Sequence, residues 1–117
     1  MDLGIAGRSA ILMASSRGLG RACAESLARE GVNLVLNGRT AADVEQAVVE
    51  LREAYGVDVR GVVGDATTTE IQDALLAACP QPDIVLLNGE GPTPALFDSI
   101  TQEQWAETAQ RSMIAPI

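Results

Sequence analysis

The sequence contains no histidine and no lysine, and all eight of its basic residues are arginines. Without an imidazole there can be no Ser-His triad and no histidine-ligated zinc. Without an amine side chain there can be no Schiff base and no P-loop lysine beneath a nucleoside triphosphate. Aromatic residues are also scarce, because Phe, Tyr and Trp occur once each, so the core has to be aliphatic. Whole classes of mechanism are therefore excluded before any motif is considered.

The charge balance excludes further partners. The net charge of −8 argues against nucleic acid and against anionic membrane surfaces. No apolar run approaches the roughly 20 residues that cross a bilayer. Neither Cys23 nor Cys79 has neighbouring ligand residues, so we expect buried free thiols, no metal site and a cytoplasmic protein.

Apolar runs alternate with segments of helical periodicity along all 117 residues. The pattern predicts strands near residues 9–14, 34–36, 57–63 and 83–88, each followed by a helix. For the first helix, the pattern predicts that one apolar face is formed by Leu19, Ala22, Cys23 and Leu27. Strands that alternate with helices specify a parallel sheet with right-handed crossovers, so the predicted fold class is α/β.

The turn between the first strand and the first helix is built from small and polar residues and contains Gly18-Leu19-Gly20. In this context the backbone can approach an anion closely, and the helix N-terminus directs free N–H groups at it. Ser15, Ser16 and Arg17 add hydroxyl groups and a guanidinium that suit phosphate oxygens. The alternative is a tight connection without a ligand, but the strand–turn–helix context favours nucleotide binding.

Polar residues also follow the other strands, at the edge where open α/β sheets bind ligands. Gly38 and Arg39 follow the second strand, and Arg39 together with Arg17 suits a 2′-phosphate unless Arg39 is merely a solvated surface residue. Asp65 ends the third strand and could equally cap the next helix. Asn88 ends the fourth strand and could equally satisfy loop backbone.

In combination these motifs resemble the short-chain dehydrogenases/reductases, particularly the ketoacyl-carrier-protein-reductase-like members. The family's TGxxxGxG segment is similar to Met13–Gly20, its adenine-contacting aspartate to Asp65, its NNAG segment to Leu87–Glu90 and its helix-leading tryptophan to Trp105. The resemblance implies a Rossmann-like, doubly wound parallel sheet with strand order 3-2-1-4. It also implies NADP(H) as the preferred cofactor, with NAD(H) possible. The cofactor-binding residues that it implies are Ala14, Ser15, Ser16, Arg17, Gly18, Leu19, Gly20, Gly38, Arg39, Asp65, Ala66, Asn88 and Gly89.

The sequence departs from the family at several positions. Ala14 stands at the first glycine of the motif and Met13 at its threonine, while Ser112 falls at the family's catalytic asparagine. The family's catalytic serine and its YxxxK pair have no counterpart, because Tyr55 is followed four residues later by Val59. The resemblance therefore implies no catalytic residue in this chain.

Residues 1–117 are then expected to be the N-terminal part of a single NADP(H)-binding domain of an oxidoreductase, which transfers hydride between NADP(H) and a small carbonyl or alcohol substrate. A second copy of the chain, or the family's C-terminal half, is expected as partner because the fourth strand would leave an apolar edge. A non-catalytic dinucleotide-binding or interaction module would also fit the missing tyrosine and lysine. A methyltransferase that uses adenosylmethionine fits less well, since that class usually carries an acid where Gly38 and Arg39 stand.

We expect the purified chain to show no ketone-dependent oxidation of NADPH, followed by the absorbance of the reduced nicotinamide. Carbonyl reduction needs a proton donor within hydrogen-bond reach of the developing alkoxide, and histidine and lysine are absent. Turnover by a homogeneous preparation of the chain would contradict this expectation.

Overall fold

The computed structural model describes residues 1–89 and 91–117, in which strands and helices alternate along the chain. The strands are β1 (Ser9–Leu12), β2 (Asn33–Gly38), β3 (Val59–Val63) and β4 (Ile84–Leu86). The α-helices are α1 (Gly18–Arg29), α2 (Ala41–Tyr55), α3 (Thr69–Ala78) and α4 (Gln102–Ala109). A 3₁₀ turn (Phe97–Ser99) precedes α4, and a π-turn (Gln110–Ile114) follows it.

The strands form one parallel sheet in the order β3-β2-β1-β4. The predicted α/β class, the Rossmann-like arrangement and the strand order are therefore confirmed. In the central register Ala10 of β1 lies between Leu34 of β2 and Ile84 of β4. Strand β4 pairs with β1 alone within the described part of the chain, and Val85 and Leu87 are about half exposed beside that edge.

Successive residues of the central strands face two different cores, as the alternation of side chains in a strand requires. On one face Leu12 and Leu36 pack with residues of α1 and α2, including the fully buried Leu51. On the other face Ile11 and Val35 join the core formed with α3. Helices thus cover both faces, which explains the continuous apolar run of β2.

Helix α1 buries a different stripe from the predicted one. Its buried residues are Gly20, Ala24 and Ala28. The predicted face was wrong: Leu19, Ala22 and Cys23 are exposed, and Leu27 is half-buried. Small side chains let the helix axis approach the sheet, so packing distance and not hydrophobicity selects this face. The free thiol of Cys79 is buried as predicted, whereas that of Cys23 is exposed.

The ends of the helices follow local sequence signals closely. Gly56 ends α2 in the left-handed conformation with φ +66°, as expected of a C-terminal glycine. Thr68 caps α3 by accepting a hydrogen bond from the amide of Ile71. Thr101 and Gln104 form a capping box at the start of α4. The Thr40 side chain, by contrast, makes no capping hydrogen bond to α2.

Helix α4 contributes no residue to the core. Trp105 is 53% exposed and meets the ring of Phe97 edge-on at a centroid distance of 6.3 Å. Helix α4 continues directly into the π-turn, so the two form one helical run from Gln102 to Ile114. None of the helices described is both long and apolar enough to cross a membrane.

We expect Gly20→Ala to lower the free energy of unfolding by about 3 kcal/mol, measured by urea denaturation. An added Cβ at residue 20 would lie 2.2 Å from the carbonyl oxygen of Ala14, which is backbone and cannot rotate away. Gly18→Ala is the matched control, because its Cβ would meet nothing within 4 Å and only the φ of +65° is strained. That control should lose about 1 kcal/mol. Equal losses in the two variants would contradict this account of how α1 is seated.

Candidate nucleotide-binding site

A cavity of about 500 Å³ opens where the four strands end. The loops that follow β1, β2, β3 and β4 all contribute to its wall. Arg111 of the π-turn closes one side, together with Ala115 and Pro116 just beyond it. Nine of the thirteen residues predicted to bind a nucleotide therefore line one cavity, although they come from four separate segments. The other four, Ser15, Gly18, Leu19 and Gly20, lie outside its wall. This is the position at which open parallel sheets bind ligands.

The β1–α1 turn contains two residues with left-handed backbone. Gly18 has a φ of +65° and open space around the position of a Cβ atom. Ala14 has a φ of +49°, the one positive φ outside glycine among the residues described. An L-residue adopts that conformation at a cost of about 1–2 kcal/mol. The family's motif has glycine at this position, where a glycine adopts the left-handed conformation without strain. Ala14 adopts the same conformation with strain.

The N-terminus of α1 differs from those of the other three α-helices described. It has neither a side-chain cap nor an acidic residue in its first turn. Helices α3 and α4 each have a threonine cap and a glutamate in the first turn, and α2 has Asp43 there. Because the first amides of a helix lack intrahelical partners and carry partial positive charge, the N-terminus of α1 suits an anion.

Ser15 does not line the cavity. Its side chain is fully buried, and its hydroxyl donates to the carbonyl of Leu12 (2.8 Å) while accepting from the amide of Asn37 (3.1 Å). The hydroxyl proton is therefore already used within the protein. Ser16 and Arg17, by contrast, both lie in the cavity wall. Leu19 and Gly20 lie outside that wall, at the start of α1.

Asn37 is a buried residue whose structural importance the sequence analysis missed. Its side-chain oxygen accepts from the amide of Ala14 (3.1 Å), and its side-chain nitrogen donates to the carbonyls of Val62 and Gly64 (3.1 Å each). One amide group thereby joins the ends of β1, β2 and β3. The available signal was a lone asparagine inside an otherwise apolar buried strand, since buried polar groups need partners.

Gly38 and Arg39 occupy the cavity wall beyond β2. A Cβ atom at Gly38 would lie 2.5 Å from Oγ of Ser16 and 2.9 Å from a methyl group of Val44. No side chain fits at residue 38 unless Ser16 moves. Because residue 38 is glycine, no carboxylate of the kind that binds ribose hydroxyls stands at this position.

Asp65 follows β3 and has hydrogen-bond partners on both carboxylate oxygens. Oδ1 accepts from the amide (2.9 Å) and the hydroxyl (2.7 Å) of Thr67. Oδ2 accepts from Nη1 of Arg111 at 3.1 Å. The hydrogen bonds from Thr67, and then the nearby guanidinium of Arg111, lower the pKa of Asp65 below its ordinary value. The carboxylate is therefore ionised at neutral pH, and it orders the turn before α3, while Thr68 caps that helix.

Asn88 donates a hydrogen bond from its side chain to the carbonyl of Ala14 (3.1 Å), so it does satisfy loop backbone. It also lines the cavity together with Gly89. Both residues follow β4 at one end of the strand order, whereas Ala66 follows β3 at the other end. Glu90, the last residue of the segment that is similar to NNAG, lies outside the described residues.

Neither Ser112, which falls at the family's catalytic asparagine, nor Tyr55, which has no such counterpart, lines this cavity. Ser112 is exposed and lines a neighbouring cavity beside Trp105. The hydroxyl of Tyr55 donates to a carboxylate oxygen of Glu25 (2.8 Å), where α2 meets α1. Among the described residues, no three potential metal ligands converge. The arrangement offers groups that bind an anionic ligand and no proton donor of the expected kind.

The fold and the site together define an open parallel α/β domain with a ligand-sized cavity at its strand ends. Comparison with known proteins identifies its family. The family model of the short chain dehydrogenases matches residues 8–117. The chain therefore belongs to the short-chain dehydrogenase family.

Individual proteins agree with this assignment. The chain is 33% identical over 106 residues to the uncharacterized oxidoreductase YvaG of Bacillus subtilis, a match that covers 90% of this chain and 40% of that protein. It is 36% identical to galactitol 2-dehydrogenase of Rhizobium johnstonii, over 73% of this chain and 34% of the relative. The structure matches that of L-sorbose reductase from Gluconobacter frateurii, complexed with NADPH and L-sorbose, with a TM-score of 0.91 and 31% identity. That match covers 98% of this chain and 45% of the reductase, so the chain spans less than half the length of these proteins.

We expect Asn37→Ala to lower the free energy of unfolding by about 2–4 kcal/mol, because three hydrogen bonds are lost where water is largely excluded. Asn33→Ala, at the opposite end of the same strand, is the control. Its side chain accepts one exposed hydrogen bond, from the amide of Asp58, and should cost at most about 1 kcal/mol. Urea denaturation of both variants measures the difference, and similar losses would show that the buried amide does not hold the strand ends together.

Proposed function

We propose that this chain provides the NADP(H)-binding part of a short-chain oxidoreductase, which transfers hydride between NADP(H) and a small carbonyl or alcohol substrate. The observation that carries the proposal is the convergence of Arg39 and Arg17 on one cavity at the strand ends. Arg17 is the N-cap residue of α1, a helix whose N-terminus has no side-chain cap. Those groups match the charge and the hydrogen-bonding needs of a phosphorylated dinucleotide. L-Sorbose reductase, with its bound NADPH, supports the same assignment.

The residues of the cavity fit such a nucleotide segment by segment. The first amides of α1 and the hydroxyl of Ser16 would hold the pyrophosphate, which can approach closely because the space beside Gly18 is open. Arg17 and Arg39 would contact the 2′-phosphate. When bound, the nicotinamide ring supplies the hydride or receives it.

The base of the nucleotide would lie at the Asp65 end of the cavity. The exocyclic amino group of adenine is a donor, and the ionised carboxylate of Asp65 is an acceptor. Ala66 and Gly89 line the same cavity and would contact the nucleotide through backbone and apolar surface. Ser15, Leu19 and Gly20 would act indirectly, by fixing the turn and the start of α1.

Glycine at residue 38 supports NADP(H) over NAD(H), because the chain has no acid at this position to bind the ribose hydroxyls. A side chain there would also require Ser16 to move. The missing acid argues equally against a methyltransferase, which usually carries an acid there for the ribose of adenosylmethionine.

A non-catalytic dinucleotide-binding module is the second candidate function. The exposed position of Ser112 and the distant hydrogen bond of Tyr55 favour it, because neither residue meets the cavity. Ketone-dependent turnover by this chain would exclude a non-catalytic module, whereas NADPH binding without turnover is expected of either candidate.

We also propose that the chain contacts a further polypeptide surface, either a second copy or a C-terminal half of the family's kind. The apolar side chains exposed along β4 and α4 support this, with Val85, Leu87, Trp105 and Met113 each about half exposed or more. A cytoplasmic location is part of the proposal, since the exposed free thiol of Cys23 suits a reducing compartment.

We expect the chain to bind NADPH more tightly than NADH and expect Arg39→Asp to reverse that order. A charge-assisted hydrogen bond to phosphate is worth about 1.5–3 kcal/mol, so NADPH affinity should fall about tenfold or more. Nicotinamide fluorescence titration measures both dissociation constants.

Arg60→Asp is the control for the change in charge. Arg60 is exposed, pairs with Asp58 and lies near the amino end of β3, away from the cavity. Its replacement should leave the preference for NADPH intact. Unchanged NADPH affinity in Arg39→Asp would refute the 2′-phosphate assignment, and the absence of dinucleotide binding by the unmodified chain would refute the proposed function.

A further inference from the structure

The third arginine of the cavity wall, Arg111, comes from a different part of the fold than Arg17 and Arg39. It belongs to the π-turn after α4, 46 residues beyond Asp65 in the sequence. The site residues predicted from the sequence did not include it, because nothing local links a residue after α4 to the end of β3. The structure nevertheless brings its guanidinium to 3.1 Å from Oδ2 of Asp65.

The contact restricts what Asp65 can do. A carboxylate has about four acceptor positions. Thr67 takes two of them on Oδ1, and Arg111 takes one on Oδ2. One acceptor position remains, on the oxygen that Arg111 holds. The orientation of that last acceptor is therefore set by Thr67 and Arg111 together, and Arg111 is the one that contacts the oxygen that carries it.

A second hydrogen bond fixes the π-turn against the same region. Gln72 of α3 donates from its side-chain nitrogen to the carbonyls of both Ala66 (3.0 Å) and Ala115 (3.2 Å). Gln72 thus bridges the turn that carries Asp65 and the segment that carries Arg111. The segment that carries Arg111 and the turn that carries Asp65 are thus held together by Gln72 as well as by the ion pair itself.

Stability alone does not account for this pair. The side chains of Arg111 and Asp65 are 32% and 33% exposed, and ion pairs as exposed as this one add little to folding stability. Both residues line the cavity. The pair is therefore placed where a ligand would meet it.

We propose that Arg111 is a positioning residue of the nucleotide site, which orients the carboxylate of Asp65 so that its remaining acceptor recognises the amino group of a purine base. The inference rests on the proposed function, since it requires a dinucleotide in the cavity. It adds a specificity determinant outside the glycine turn and outside the β2 loop. It also makes base recognition depend on the segment that carries Ser112.

The test compares the binding of NADPH with that of its hypoxanthine analogue, in which a carbonyl oxygen replaces the amino group of adenine. The unmodified chain should prefer NADPH by about tenfold or more, as expected for a hydrogen bond to a charged acceptor. In Arg111→Met that preference should fall to about threefold or less. A merely structural loss would weaken both nucleotides equally and leave their ratio unchanged, so the ratio is the decisive readout.

Further variants complete the experiment. Asp65→Asn should abolish the preference, and adding Arg111→Met to it should change the ratio no further. Arg60→Met, which removes an arginine from an exposed pair elsewhere, should keep the preference of the unmodified chain. If Arg111→Met does not fold by circular dichroism, Arg111→Lys replaces it, and a ratio lowered in the same direction is expected.

A preference that survives the loss of the guanidinium would overturn the role of Arg111, while the proposed function would stand. Equal binding of both nucleotides by the unmodified chain would also overturn it, because no base amino group would then be recognised. If neither nucleotide binds the unmodified chain, the proposed function and this inference fail together.

Discussion

The structure depends most on one buried amide, the side chain of Asn37. It accepts a hydrogen bond from Ala14 and donates two to the β3 side, so the ends of three strands are held at fixed separations. Ser15 strengthens the same junction through its hydroxyl and its backbone amide, which donate to Leu12 and Asn37. Asn37, Ala14 and Gly64 all line the cavity, which therefore lies directly against this junction. The turn at Ala14 and the strand end at Gly64, which both form part of the cavity wall, are therefore positioned by hydrogen bonds within the protein.

The electrostatics of the chain are divided between its surface and its cavity. The molecule carries a net charge of −8, yet three of its eight arginines line one cavity at the strand ends. An acidic exterior repels polyanions, whereas the local cluster of guanidinium groups attracts a small anion that can enter. Since Asp65 already compensates Arg111, the anion would be held chiefly by the N-terminus of α1 and the arginines next to β1 and β2. The acidic exterior and the arginine cluster in the cavity together thus favour a small anion over a polyanion.

Sequence patterns were sufficient for the parts of the fold that depend on local chemistry. The alternation of strands and helices, the glycine at the end of α2 and the capping box of α4 all follow from residues close to one another in the chain. The buried face of α1 was mispredicted because alanine and glycine, not leucine, allow close approach to the sheet. Arg111 was missed for another reason. Its partner is set by tertiary contacts over 46 residues, and a single sequence carries no periodic signal for such a pair.

The strained backbone of Ala14 has a consequence for the motion of the site. Its amide and its carbonyl are each held by an asparagine side chain, so two hydrogen bonds oppose the tendency of an L-residue to leave the left-handed region. Local opening should thus begin here, and the amide of Ala14 should exchange its hydrogen with solvent sooner than amides at the centre of β2. The segment proposed to hold the phosphates is, by this reasoning, the part of the sheet edge that opens first.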